Sequence, residues 1–186
     1  MRQLPLVWAR SGISFQVIAS TWDPACIRAI RSHYTGSAGP PPGKKMAWEI
    51  FEDGAHRGWI MLGEPAFKLA PRRRLGLTDA RPAPATVGCS LFRIRPGRIK
   101  ASRVLRLWHE VCGVDWCRRY GFVPAHFETM CMDRGACFRR AGYRRLGWTT
   151  GRSARRPPGA THGPRVWGDS DPKLVLYRGP LHRVCP

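Results

Sequence analysis

The chain has 186 residues, 43% of them hydrophobic and 10% aromatic, enough for one folded domain with its own core and too many for a largely disordered polypeptide. Lys and Arg number 32 against 12 Asp and Glu, a formal net charge of +20; such an excess repels itself in a compact chain and is relieved by a polyanion, so nucleic acid is favoured over an anionic membrane surface or an acidic protein. No apolar run approaches the ~20 residues that cross a bilayer, the apolar stretch of residues 1–15 is too short and broken for a signal peptide, and seven cysteines without a CxxC pair argue against a disulfide framework or zinc ribbon, so a reducing cytoplasm fits.

Thr21-Trp22-Asp23-Pro24 predicts a helix start, with a capping Thr or Asp and proline in the first turn. Ala25, Ile27, Ala29 and Ile30 can bury while Arg28 and Arg31 stay in water, and the helix should end near His33-Tyr34. Met46 to Phe51 and Arg57 to Leu62 are strand-like, with Glu52-Asp53-Gly54 as the turn of an antiparallel hairpin. Residues 70–85 form a basic loop rich in Arg and Pro, and Val87 to Ile94 is the next strand. Arg95-Pro96-Gly97-Arg98 turns into a helix from about Ile99 to Val111, which continues or restarts at Asp115 and closes at Gly121. A strand follows that carries His126 and Glu128, then a short helix from Ala136 to Ala141 and a strand over Leu146 to Thr149. Ser153 to Pro172 reads as a second basic loop, and Lys173 to Tyr177 as a last strand. The order predicts one α/β domain with a mixed central sheet flanked by helices.

Three groups of residues could carry chemistry. His33-Tyr34 closes a helix before a Gly/Pro loop, where a histidine can also serve simply as a C-terminal cap on the helix dipole. His126 and Glu128 alternate in an apolar strand and so share a face; they could ligate a metal or act as an acid/base pair, or Glu128 could pair with an arginine. Arg95 to Ser102 joins a strand to a helix start, where free N–H groups bind anions, with ordinary capping near Ser102 as the competitor. The clusters Arg72-Arg73-Arg74, Arg118-Arg119, Arg139-Arg140, Arg144-Arg145 and Arg152, Arg155, Arg156 are interspersed with aromatics, a pattern suited to phosphates and unstacked bases.

The run from Phe122 to Arg152, FVPAHFETMCMDRGACFRRAGYRRLGWTTGR, resembles the C-terminal half of a GNAT-type acyltransferase fold. With His33-Tyr34 and Gly36, and with Gly135-Ala136-Cys137-Phe138-Arg139-Arg140-Ala141 after Glu128, it resembles two DNA-linked families, the phage Mom DNA-modification proteins and the DruA-type defence and transposon-associated proteins. The similarity covers roughly Ala29 to Leu181. It implies a GNAT-like fold with His33, Tyr34 and Glu128 in one active site, where Mom-like proteins are associated with iron, and with Ser102 on the helix after the central strand. It also implies an acyl donor such as acetyl-coenzyme A, its pyrophosphate cradled by Arg95, Gly97, Lys100 and Ala101. Phe138 stands where Mom-like proteins and many GNAT enzymes have tyrosine, so an acid role would pass to Tyr143 or to water, or be absent.

The resemblance thus implies a phage or prophage enzyme that binds double-stranded DNA and transfers a small acyl-derived, carbamoylmethyl-type group to the exocyclic amine of adenine. Phe138 favours the alternative of a non-catalytic, DruA-like DNA-binding component of a defence or mobile-element system. A third reading is a coenzyme A-dependent transferase acting on protein or RNA.

Overall fold

A computed structural model describes residues 7–33, 39–64, 86–132, 134–149, 152–155, 166–169 and 171–179. The strands are β1 (Val7–Arg10), β2 (Ile13–Val17), β3 (Lys45–Glu52), β4 (Ala55–Gly63), β5 (Thr86–Ile94), β6 (His126–Cys131), β7 (Arg144–Trp148), β8 (Arg152–Arg155), β9 (Val166–Asp169) and β10 (Leu174–Arg178). The helices are α1 (Pro24–Arg31), α2 (Ala101–Tyr120) and α3 (Ala136–Arg140). Eight strands form one sheet in the order β1-β2-β3-β4-β5-β6-β10-β7, and β8 pairs with β9 separately. Only β5 and β6 run parallel within the large sheet, and α2 supplies the crossover that this demands. The arrangement is the mixed α/β sheet flanked by helices that the order of elements predicted.

Helices cover both faces of the central strands, so these strands are apolar on both sides. Met46, Trp48 and Ile50 of β3, with Ile60 and Leu62 of β4, pack with α2 residues Val104, Leu105 and Trp108. The alternate residues Ala47, Trp59, Met61 and Leu91 pack with Cys26, Ala29 and Ile30 of α1. Asp23 caps α1, its carboxylate accepting from the amides of Ala25 and Cys26 at 2.8 and 3.1 Å. Asp23→Ala should therefore cost about 1 kcal/mol in thermal or urea unfolding, while Asp23→Asn should cost little.

The Asp53-Gly54 hairpin turn forms with both residues at positive φ, 49° and 81°. α2 is one continuous helix because Asp115 turns inward, accepting from Trp48 Nε1 at 2.8 Å, and it closes on left-handed Gly121. α1 stops slightly earlier than expected, at Arg31, where the Ser32 hydroxyl turns back onto the Arg28 carbonyl at 2.6 Å. Two features depart further from expectation. The β1–β2 hairpin turns at Ser11-Gly12, both at positive φ, within a stretch whose sequence suggested no element. β8 and β9 pair within the segment expected to be a basic loop; its Gly, Pro and Arg content hides the ladder because backbone pairing needs no apolar alternation. The expected loop at 70–85 lies outside the described residues.

Candidate functional site

β5 and β6 pair from Thr86–His126 to Cys89–Thr129 and then part, although β5 runs on to Ile94 and β6 to Cys131. The last rung is held by the Thr129 hydroxyl, which donates to the Cys89 carbonyl at 3.1 Å. On its other side β5 bulges against β4: Leu62 pairs with Cys89 and Met61 with Leu91, so Ser90 is the extra residue. A bulge re-aims backbone groups out of the ladder. The Ser90 hydroxyl is buried there without a hydrogen-bond partner among the described residues. The splay encloses a cavity of about 300 Å³ lined by Ser90, Phe92, Thr129, Cys131, Phe138 and His33, among others. Diverging strand edges offer main-chain donors and acceptors to an extended, amide-bearing ligand.

His33 reaches the splay from just beyond α1 and bonds to the Phe92 main chain. Burial, reinforced by Arg93 and Lys173, pulls its pKa from 6.5 down to about 4. It is therefore a neutral imidazole at neutral pH rather than a charged cap on the α1 dipole. Burial, with help from Arg178, holds His109 on α2 well below the usual histidine value as well. Both groups take up protons in the unfolded chain before they do so in the folded one. Stability should thus rise with pH from about 4 to about 6.5 and be lost as the pH falls through that window. His33→Asn should flatten part of the slope in urea titrations across that range.

His126 and Glu128 share a face of β6, as their spacing predicted, but Thr129 and Cys131 are the β6 residues that line the splay. Glu128 lies opposite Tyr177 of β10, and Tyr177 shares a hydrogen bond with His126 Nδ1. Tyr34 lies outside the described residues. Among the described residues no group of three or more His, Cys, Asp or Glu could hold a metal ion. The charges acting on His33 are the cations Arg93 and Lys173, an environment that disfavours a further cation. The described residues do not fit the expected iron.

Phe138 forms part of the splay wall, edge-on to Phe92 at 5.5 Å and to Tyr143 at 5.1 Å. Tyr143 is buried behind it; burial pushes its phenol well above 10, so it stays protonated but does not line the cavity. Ser102 lies buried in the first turn of α2, whose cap is Lys100, so it is not the capping residue that the sequence allowed.

The loop from Arg95 to Lys100 is braced from beneath. Arg57 Nη1 meets Glu52 Oε2 at 2.8 Å with both side chains nearly enclosed, and Arg57 also donates to the carbonyls of Arg95 and Ile99. Glu52 Oε1 accepts from the Ile99 amide at 2.6 Å. A Cβ at Gly97 would meet Arg57 Cζ and Glu52 Oε2 at 2.3 Å, so this glycine is explained by the ion pair beneath it. The Ile99 amide is already spent on a carboxylate, whereas Arg95, Gly97 and Lys100 remain exposed beside the start of α2 at Ala101.

Arg139 and Arg140 of α3 and Arg144 and Arg145 of β7 are exposed, and Arg145 lies 5.7 Å from the Trp148 ring. They share the short segment that carries Phe138. Arg152 and Arg155 belong to β8; Arg72, Arg73, Arg74 and Arg156 lie outside the described residues. Sequence reasoning missed Ser90, Thr129, Glu52 and Arg57. Only the Glu52–Arg57 pair left a trace, as opposite charges on the two sides of the Asp53-Gly54 turn; the bulge exists only in the register between strands.

No family model and no curated protein sequence matches the chain. Among solved structures it is similar to an acetyl transferase from Salmonella typhimurium that modifies the N-terminal serine of ribosomal protein L7/L12, at 11% identity and a TM-score of 0.43. That match takes in 74% of this chain and 65% of the other, so the chain spans about two thirds of its length. It is also similar to RimL, a ribosomal L7/L12 alpha-N-protein acetyltransferase in its apo form, at 10% identity and a TM-score of 0.46, covering 91% of this chain and 94% of that one.

Proposed function

We propose that the chain transfers an acyl-derived group from a coenzyme A thioester, seated in the β5–β6 splay, to an amine on DNA, the exocyclic amine of adenine being the intended acceptor. The observation that carries the reading is the splay itself, with its bulge at Ser90 and its cavity of about 300 Å³. The acyl arm would run between the parted strands, its amides meeting their open edges. The acceptor nitrogen would attack the thioester carbonyl, the C–N bond would form as the C–S bond breaks, and the coenzyme would leave as its thiol or thiolate. The bulged backbone would stabilise the oxygen charge that builds up between those events. His33, kept neutral in the cavity wall, is available to take the proton that the amine loses.

The charge of +20 and the exposed arginines beside Phe138 favour a polyanionic acceptor. An adenine amine is reached only after the base leaves the stack, so a single-stranded or distorted site should react faster than a relaxed duplex. The test is nucleoside mass spectrometry of DNA incubated with the purified chain and acetyl-coenzyme A. A mass increase on deoxyadenosine supports the reading. Unaltered nucleosides with label appearing on protein amines would move the acceptor from DNA to protein. Phe138 favours one second reading, a DNA-binding component without catalysis; that reading requires that the chain bind DNA and not bind acetyl-coenzyme A.

A further inference from the structure

A second concavity, of about 730 Å³, lies between α1 and the ends of β3, β4 and β5. Register lays its floor: Glu49, Trp59 and Arg93 are direct cross-strand neighbours on three successive strands and so share one face. Arg28 enters from α1, and Arg95 closes the end beyond β5. Arg57 also lines the cleft, but its guanidinium is committed to Glu52 and to loop carbonyls. Among the described residues no ion pair holds Arg28, Arg93 or Arg95. Among the described residues the one carboxylate in the lining, Glu49, stands 3.7 Å from His56. Three guanidiniums around one hollow repel one another, and a bound anion relieves that repulsion. Phosphate is the anion that a set of guanidinium forks fits best, because each can bind it through two N–H groups.

The cleft and the splay lie on opposite faces of β5. Ser32 faces the cleft and His33 the splay; Arg93 faces the cleft and Phe92 the splay. An acceptor that touches both hollows therefore passes through the gap where β5 and β6 have parted. We propose that the cleft seats a phosphodiester of the acceptor strand on Arg28, Arg93 and Arg95, so that the neighbouring nucleotide is presented to the splay. The proposal rests on the nucleic-acid reading given above. Ala29 and Ile94 supply the apolar surface on which a deoxyribose can lie.

The test is binding of a fluorescent eight-nucleotide single strand over a series of salt concentrations, with no acyl donor present. The variant R28Q/R93Q/R95Q is compared with R106Q/R118Q/R119Q, which removes the same charge from exposed positions on α2. The cleft variant should lose at least about tenfold more affinity than the control, and its salt slope should fall by about 0.7, the contribution of one single-strand phosphate contact. All six arginines are exposed, and unchanged thermal midpoints would show that both variants fold. Equal losses in the two variants, or no loss in the cleft variant, would overturn the proposal. So would a strand-independent result, in which deoxyadenosine monophosphate needs the three arginines and the oligonucleotide does not; the ligand would then be a free nucleotide. If DNA is modified but oligonucleotide binding ignores these arginines, the cleft fails and the transfer reading stands. If the cleft binds the strand but no nucleoside changes mass, the reverse holds.

Discussion

Arg57→Met is expected to lower the unfolding free energy by about 3–5 kcal/mol in urea titrations, the loss typical when one member of a buried ion pair is removed and the other is left uncompensated. Glu52 would then lie at 8% exposure with the Ile99 amide as its remaining partner among the described residues. Arg57 is the bulged residue of β4, since Ile50 pairs with Gly58 and Phe51 with His56. The bulge is what turns this arginine inward beneath the loop. Gly58 permits the close approach that follows, because a Cβ there would meet the Arg93 carbonyl oxygen at 2.0 Å. The double variant Glu52→Gln with Arg57→Met should recover a good part of the loss, because no unpaired charge remains inside. A change below about 1 kcal/mol in the single variant would mean that the pair is not buried as described.

The second large effect is on the proposed transfer. Cys137 is half-buried and lines the splay cavity. Cys137→Trp should put an indole into a space of about 300 Å³ and slow transfer by on the order of 100-fold or more, as displacement of a reacting group by about an ångström already does. The fold should tolerate the change better than the activity does, because the ring can lie in existing free volume and avoid overpacking the core. Thermal unfolding beside steady-state rates separates the two. Cys137→Ala, which leaves the space open, should stay within a few-fold of the parent, and an equal collapse in both variants would tie the effect to α3 and not to the cavity.

The parts of the fold that could be read from sequence are those written in local chemistry. Asp23-Pro24 opens α1, Asp53-Gly54 makes the hairpin, and Gly121 closes α2, each through a backbone geometry that few residues accept. The β1–β2 hairpin turns on Ser11-Gly12, a weaker version of the same signal. The candidate site was legible only in outline. His33 and Phe138 meet at the splay, but Thr129 and Ser90 enter it through pairing with strands distant in sequence, and a register shift leaves no mark on the strand that bulges. His126 and Glu128 show the limit from the other side. Their spacing correctly put them on one face, while the face that borders the splay is set by how β6 sits between β5 and β10. Glycine at 97 suggested phosphate approach; the ion pair packed beneath it is a different cause for the same residue.

Whether the parted strands hold a thioester is most directly tested by titrating acetyl-coenzyme A calorimetrically into the parent chain and into Cys137→Trp. One equivalent bound by the parent and none by the variant is the outcome that follows from an occupied splay. No binding by either chain, or equal binding by both, would contradict it.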